Sequence, residues 1–154
     1  MKTRDLINEF FSQHRFAMVG VSRNQDDFSR RLFRDLLGRG YDVIPVHPVA
    51  SEIDHKTCYA RVQHIDPPVR AALIMVPKNH TADIVKDCAD AGTNLIWIYG
   101  VSGERDVDAT ALEVSSAYGI GVIAGFCPYM FLPQTAFFHR LHGTVWKVFG
   151  LYPS

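Results

Sequence analysis

The chain has 154 residues, a length typical of one globular domain and too short for two full ones. Its 16 basic and 16 acidic residues cancel, so no overall field favours nucleic acid or an anionic membrane as a partner. Three widely spaced cysteines predict a reducing compartment, and no apolar run reaches the roughly 18 residues of a membrane span. We therefore expect a single cytoplasmic domain over residues 1–154.

A short amphipathic helix is predicted first, over residues 4–14, where apolar side chains recur at helical spacing. Five short apolar runs follow along the chain and are predicted as strands. These runs are Phe16–Val21, Tyr41–Val46, Ala71–Val76, Asn94–Tyr99 and Gly119–Ala124.

Helical patterns separate most of these strands. The first ends at Gly38–Gly40, the second closes at Gly92, and the third ends before Gly119, as expected for glycine at a helix stop. Residues 48–69 carry the weakest periodicity between strands. We interpret them as a loop with one short helix.

The predicted strands are apolar along their whole length, which indicates burial on both faces, and helical crossovers join parallel strands. The predicted fold is α/β, a doubly wound, Rossmann-like parallel sheet of about five strands with helices on both faces. In such sheets ligands bind beyond the carboxyl ends of the strands, where strand order reverses. We therefore expect three loops to converge, namely Val21–Phe28, His47–Val49 and Pro77–His80.

The first loop has the chemistry of a phosphate site. Gly20 allows close backbone approach, Ser22 and Arg23 supply a hydroxyl and a cation, and a helix begins near Asp27–Ser29. Arg30 and Arg31 are expected to add positive charge beside a diphosphate. The alternative is that Asp27 or Ser29 only caps the helix and the arginines are solvated.

In the second and third loops, proline marks the point where the preceding strand ends. Pro45 and Pro48 hold His47 at the end of a strand, at the point where an NAD enzyme would place a ribose-binding carboxylate. An imidazole there favours a phosphorylated ribose, although His47 could instead satisfy a turn carbonyl. Pro77 and Lys78 repeat the pattern in the third loop.

Several motifs in this order resemble the small, single-domain CoA-binding proteins, which are related to the nucleotide-binding domain of the succinyl-CoA synthetase alpha subunit. The strongest is Gly40-Tyr-Asp-Val-Ile-Pro-Val-His-Pro48, where the family typically reads G-Y-x-V-x-P-V-N-P. The others are Val19-Gly-Val-Ser22, Ser29-Arg-Arg31, Gly92…Trp97, Gly100-Val101 and Cys127-Pro128. The resemblance covers roughly residues 14–128.

This resemblance implies that CoA or an acyl-CoA binds with its diphosphate near Gly20–Arg23 and its adenosine near His47 and Pro77–Lys78. The predicted cofactor-binding residues are Gly20, Val21, Ser22, Arg23, Ser29, Arg31, Pro45, His47, Pro48, Pro77 and Lys78. We predict no catalytic residue and no metal. Cys127 stands where the thiol of CoA could reach it, but the sequence identifies no base beside it.

Residues 129–154 are rich in large apolar side chains and are predicted to form an additional helix that packs on the domain or on a partner chain. The leading functional hypothesis is a binding or regulatory module for CoA or an acyl-CoA, without catalysis of its own. Two alternatives remain open at this point. The chain could be an NADP-binding, oxidoreductase-type domain, or a subunit of a multi-chain acyl-CoA ligase.

Overall fold

The computed structural model of the protein describes residues 2–133, and within that range it contains four α-helices and seven strands. The helices are α1 (Thr3–Ser12), α2 (Phe28–Gly38), α3 (Thr81–Asp90) and α4 (Ala109–Ala117). The strands are β1 (Arg15–Val19), β2 (Asp42–Val46), β3 (Glu52–Ile53), β4 (Lys56–Thr57), β5 (Ala71–Ile74), β6 (Leu95–Tyr99) and β7 (Gly121–Phe126).

Five of these strands form one parallel sheet in the order β2-β1-β5-β6-β7. The chain first moves outward from β1 to β2 and then returns past β1 to β5, so strand order reverses between β1 and β5. The predicted Rossmann-like α/β fold with about five parallel strands is therefore confirmed. A ligand crevice is expected at the carboxyl ends of β1 and β5.

The two faces of the sheet bury separate apolar clusters. On one face α1 and α2 cover side chains such as Phe16, Met18 and Trp97. On the other face α3 and α4 cover Ile74 and Ile96 among others. Strands covered on both sides must be apolar at every position, which is the pattern that predicted them.

The structure differs from the sequence prediction mainly in residues 48–69. The prediction was a loop with one short helix, and a 3-10 turn is present at Val62–His64. The two-stranded antiparallel hairpin β3–β4 was not predicted. The predicted C-terminal helix over 129–154 lies outside the described residues from 134 onward, and Pro128–Met130 form a 3-10 turn. None of the helices within residues 2–133 is long and apolar enough to cross a membrane.

Gly20 directly follows β1 and turns the chain out of the sheet. Its φ of +96° lies in the left-handed region, and a Cβ built on it would lie 2.2 Å from the carbonyl oxygen of Met75, the residue directly after β5. Its amide donates to the carbonyl of Val46. Only glycine fits this position, because both the backbone conformation and the space exclude a side chain.

We expect Gly20→Ala to lower the free energy of unfolding by about 2–5 kcal/mol, the sum of a left-handed φ and an overpacked contact. Gly92→Ala is the matched control, because Gly92 has a φ of +77° but nothing within 4 Å of its built Cβ. It should cost only about 1–2 kcal/mol. Urea unfolding measures both, and equal losses would show that the contact with Met75 is unimportant.

Candidate functional site

A cavity of about 960 Å³ opens at the carboxyl ends of β1, β2 and β5, where strand order reverses. All three loops expected to converge contribute to its wall. The lining residues are Val19, Gly20, Val21, Ser22, Arg23, Asn24, Val46, His47, Pro48, Ala60, Val62, Met75, Val76, Pro77, His80, Asp83, Ile84 and Asp87. The wall is thus largely apolar, with polar groups supplied by the loops and by α3.

The first loop is held together by hydrogen bonds within itself. The Ser22 amide donates to the hydroxyl of Ser29 over 3.0 Å, while the Ser22 hydroxyl donates to the carboxylate of Asp27 over 2.6 Å. The Asn24 amide in turn donates to the Ser22 hydroxyl oxygen. Ser22 and Ser29 therefore shape the loop, and Asp27 begins α2 without capping it through its side chain.

His47 is fixed by the turn that follows β2. Its Nδ1 accepts hydrogen bonds from the amides of Val49 at 3.0 Å and Ala50 at 3.1 Å. A ring nitrogen that accepts carries no proton, so the proton of the neutral ring is on Nε2. Burial, followed by the positive charge of Arg23, lowers the pKa of His47 below its ordinary value of 6.5. His47 thus offers an Nε2–H donor in the cavity wall.

The cations near this edge of the sheet have different roles. Arg30 is 7% exposed and pairs with Asp54 of the hairpin turn, and Lys78 donates to the carbonyl of Arg105 over 3.2 Å. Arg31 is exposed and does not line the cavity. Arg23 lines the cavity and, among residues 2–133, has no carboxylate within ion-pair distance.

Helix α3, which follows the third loop, adds an acidic wall to the cavity. Asp83 and Asp87 are one helical turn apart, and both line the cavity with Ile84 between them. The Asp87 carboxylate also accepts hydrogen bonds from Arg61 at 2.5 Å and from Gln63 at 3.1 Å. Sequence reasoning missed this wall, although carboxylates at i and i+4 beside the third loop were a visible signal.

The predicted site residues divide into three groups. Seven of them line the cavity, namely Gly20, Val21, Ser22, Arg23, His47, Pro48 and Pro77. Ser29 and Pro45 lie behind it, Ser29 as the acceptor for Ser22 and Pro45 within β2. Arg31 and Lys78 are exposed outside it. Their roles in binding stay predictions.

Cys127 follows β7 and is 1% exposed. Burial raises the pKa of its thiol to about 11, although a hydrogen bond from the Tyr129 backbone opposes the rise. A nucleophilic cysteine needs the opposite environment, with a depressed pKa and access to substrate.

Within residues 2–133, no group of three His, Cys, Asp or Glu side chains lies close enough together to hold a metal ion.

The sequence matches the CoA binding domain family over residues 14–133, and this chain belongs to that family. The resemblance read from its motifs is thereby confirmed. The alpha subunit of an ADP-forming acetate–CoA ligase II from Pyrococcus furiosus is 25% identical over 129 residues. That match covers 79% of this chain but only 28% of the ligase subunit.

Solved structures agree with the fold. A hypothetical protein from Pyrococcus horikoshii OT3 superposes with a TM-score of 0.73 at 22% identity, covering 83% of this chain and 87% of the other. The apo form of a dinucleotide-forming acetyl-coenzyme A synthetase 1 from Candidatus Korarchaeum cryptofilum gives a TM-score of 0.61 at 25% identity. There the match covers 71% of this chain and 25% of the synthetase.

We expect the stability of the folded chain to fall at acid pH through His47. Because its pKa is lower in the folded chain than the ordinary value of 6.5, the unfolded chain binds more protons below that pH. The contribution of His47 is complete above about pH 6.5 and is lost as pH falls through the folded pKa. Urea unfolding between pH 7.5 and 5 measures this loss.

His47→Asn is the control for this titration, because asparagine keeps an acceptor for the two turn amides but does not titrate. It should retain most of the stability at pH 7.5 and show a flatter pH profile. His47→Ala should lose about 1–3 kcal/mol at pH 7.5, since two amides lose their acceptor. Identical pH profiles for wild type and His47→Asn would contradict the assignment.

Cys127 should react slowly with iodoacetamide in the native protein at pH 7.5. The rise of its pKa from 9.0 to about 11 alone reduces the thiolate fraction about a hundredfold, and burial blocks access as well. Peptide mapping by mass spectrometry, with urea-unfolded protein as the reference, follows the cysteine directly. Rapid native labelling of Cys127 would instead support a functional thiol.

Proposed function

We propose that this chain binds CoA or an acyl-CoA in the cavity at the carboxyl ends of β1, β2 and β5. One observation carries the proposal. In a chain that belongs to the CoA binding domain family, the cavity lies at the reversal of strand order and is lined by Gly20–Arg23, His47 and Pro77. This is the position where doubly wound sheets bind their cofactors.

The size and lining of the cavity support a cofactor of this class. A volume of about 960 Å³ lies at the upper end of the range typical of small-molecule sites. Its floor is formed by strand-end side chains such as Val19, Val46 and Met75, which suit an adenine ring or the pantetheine chain. A long ligand that has both apolar and polar parts and a charged end fits such a wall better than a small polar ligand does.

The phosphates are assigned to the end of the cavity formed by the first two loops. Arg23 supplies the cation there, since Arg30 and Lys78 are engaged with other groups. The Nε2–H of His47 supplies a neutral donor, and the turn directly after β2, residues 47–50, contains no carboxylate to repel a phosphate on the ribose. This arrangement supports binding of a 3′-phosphorylated adenosine.

The acidic wall on α3 is assigned to the hydrogen-bond donors of the ligand. Carboxylates of Asp83 and Asp87 accept hydrogen bonds, and both the amino group of adenine and the amides of pantetheine donate them. The pairing of Asp87 with Arg61 reduces its repulsion of the phosphates. A ligand that is anionic at one end and donor-rich elsewhere matches both parts of the cavity.

We assign a binding role rather than catalysis to the described domain. The Ser22 hydroxyl donates to Asp27, the His47 Nδ1 is occupied by two amides, and the Cys127 thiol is protonated at neutral pH. The chain spans about a quarter of the acetate–CoA ligase subunit it matches. In ligase chemistry of that kind, the described domain would therefore serve as the cytoplasmic CoA-binding part.

Isothermal titration calorimetry with CoA tests the proposed function. We expect CoA to bind more tightly than 3′-dephospho-CoA, because the second ligand lacks the phosphate assigned to the end of the cavity near His47. NADPH is the competing ligand, since the same fold also serves oxidoreductases. Binding of NADPH without any response to millimolar CoA would overturn the assignment in favour of an NADP-binding domain.

Arg23→Ala and Arg31→Ala form a matched pair within this experiment. Arg23 lines the cavity, so its removal should weaken CoA roughly tenfold or more, as expected for a charge-assisted contact. The sequence predicts a binding role for Arg31 as well, but because Arg31 is exposed outside the cavity we expect its removal to change affinity less than about threefold. The reverse order would place the phosphates on the α2 side of the loop.

A further inference from the structure

The β3–β4 hairpin has an unusual turn. The two residues between its strands, Asp54 and His55, have φ values of +48° and +66°. Two-residue hairpin turns with positive φ at both positions usually contain Asn-Gly or a similar pair, because other L-residues are strained there. Such a conformation persists only where the surrounding structure holds it.

Arg30 of α2 holds this turn. Its Nε donates to one carboxylate oxygen of Asp54 and its Nη2 to the other, both over 2.7 Å. Arg30 is 7% exposed, so its side of the pair is shielded from water, whereas the Asp54 side chain is 24% exposed. The hydrogen bonds with Asp54 raise the pKa of Arg30, and those with Arg30 lower the pKa of Asp54. The two groups therefore stay charged at neutral pH.

The same guanidinium also holds the first loop of the cavity. Its Nη1 donates to the carbonyl of Ser22 over 3.3 Å and to the carbonyl of Arg23 over 3.2 Å. In a trans peptide the N–H points opposite to the C=O. The amide of Arg23, which shares a peptide plane with the Ser22 carbonyl, is thus turned away from Arg30.

We propose that Arg30 is a positioning residue, and that the hairpin turn, through Asp54, fixes the conformation in which the first loop receives the phosphates of the ligand. This inference rests on the proposed function of the cavity. Arg30 does not line the cavity, so it acts through the loop that does. The hairpin thereby supports the binding site from outside, because none of its residues, 52–57, lines the cavity.

Arginine is required for this arrangement by its geometry. One planar group reaches both oxygens of a carboxylate and two carbonyls of a neighbouring loop, which a lysine ammonium cannot do. Arg30→Lys keeps the positive charge and removes the fork. A loss of affinity in this variant therefore reports the shape of the loop rather than the charge near the phosphates.

The test compares Arg30→Lys with Arg39→Lys, which makes the same change in an arginine paired to Asp35 at the other end of α2. Calorimetry with CoA should show a roughly ten- to hundredfold loss for Arg30→Lys and less than threefold for Arg39→Lys. Pantetheine, which lacks phosphate, should cause the same NMR chemical-shift changes in both variants as in the wild-type protein. Equal CoA affinities in the two variants would overturn the proposal.

A second measurement without ligand separates this inference from the proposed function. Hydrogen exchange of the Ser22 amide, which donates to Ser29, should accelerate about tenfold or more in Arg30→Lys and remain unchanged in Arg39→Lys. If wild type fails to bind CoA, the proposed function fails, while faster exchange still supports the loop contact. Unchanged exchange would refute the positioning role itself.

Asp54→Asn is the milder variant in case Arg30→Lys does not fold. Asparagine tolerates a positive φ and keeps one acceptor for Arg30, but it removes the charge of the pair. We expect a loss of CoA affinity between those of the two arginine variants, with faster exchange of the Ser22 amide. Wild-type values for both quantities would count against the hairpin as a support for the loop.

Discussion

The contact between Gly20 and the carbonyl of Met75 is the constraint on which the site depends. It lies where β1, between β2 and β5, leaves the sheet. Because no side chain fits there, the backbone of β1 turns directly at the edge of β5, and the loop that follows lies over the ends of both neighbouring strands. The convergence of three loops is a consequence of this turn and of the strand order.

The role of each charged side chain around the cavity depends on its partner in the fold and not on its position in the sequence. Arg23, Arg30 and Arg31 lie within nine residues, yet Arg23 lines the cavity, Arg30 is committed to Asp54, and Arg31 faces away. A buried guanidinium needs an ion-pair partner, and that partner can be identified only from the three-dimensional structure. The positive character of the site thus comes from fewer groups than a count of arginines indicates.

The sequence predicted the sheet well because burial on both faces makes every strand position apolar, a pattern that is visible without tertiary contacts. It did not predict β3–β4, since two-residue strands carry no periodicity and Asp54-His55 lacks the glycine of a typical hairpin turn. The role of Arg30 was hidden for a related reason. Its partner Asp54 lies 24 positions away in a stretch interpreted as loop.

His47 illustrates how a motif can change while its geometry is kept. In the motif that this segment resembles, asparagine stands at the corresponding position, and its side-chain oxygen can accept from the amides of the following turn. The Nδ1 of His47 accepts from the same kind of amides, those of Val49 and Ala50. The turn is therefore satisfied by either residue. Both side chains also keep an N–H donor, which in His47 is Nε2–H in the wall of the cavity. The imidazole differs because protonation of Nδ1 would remove the acceptor of the two turn amides.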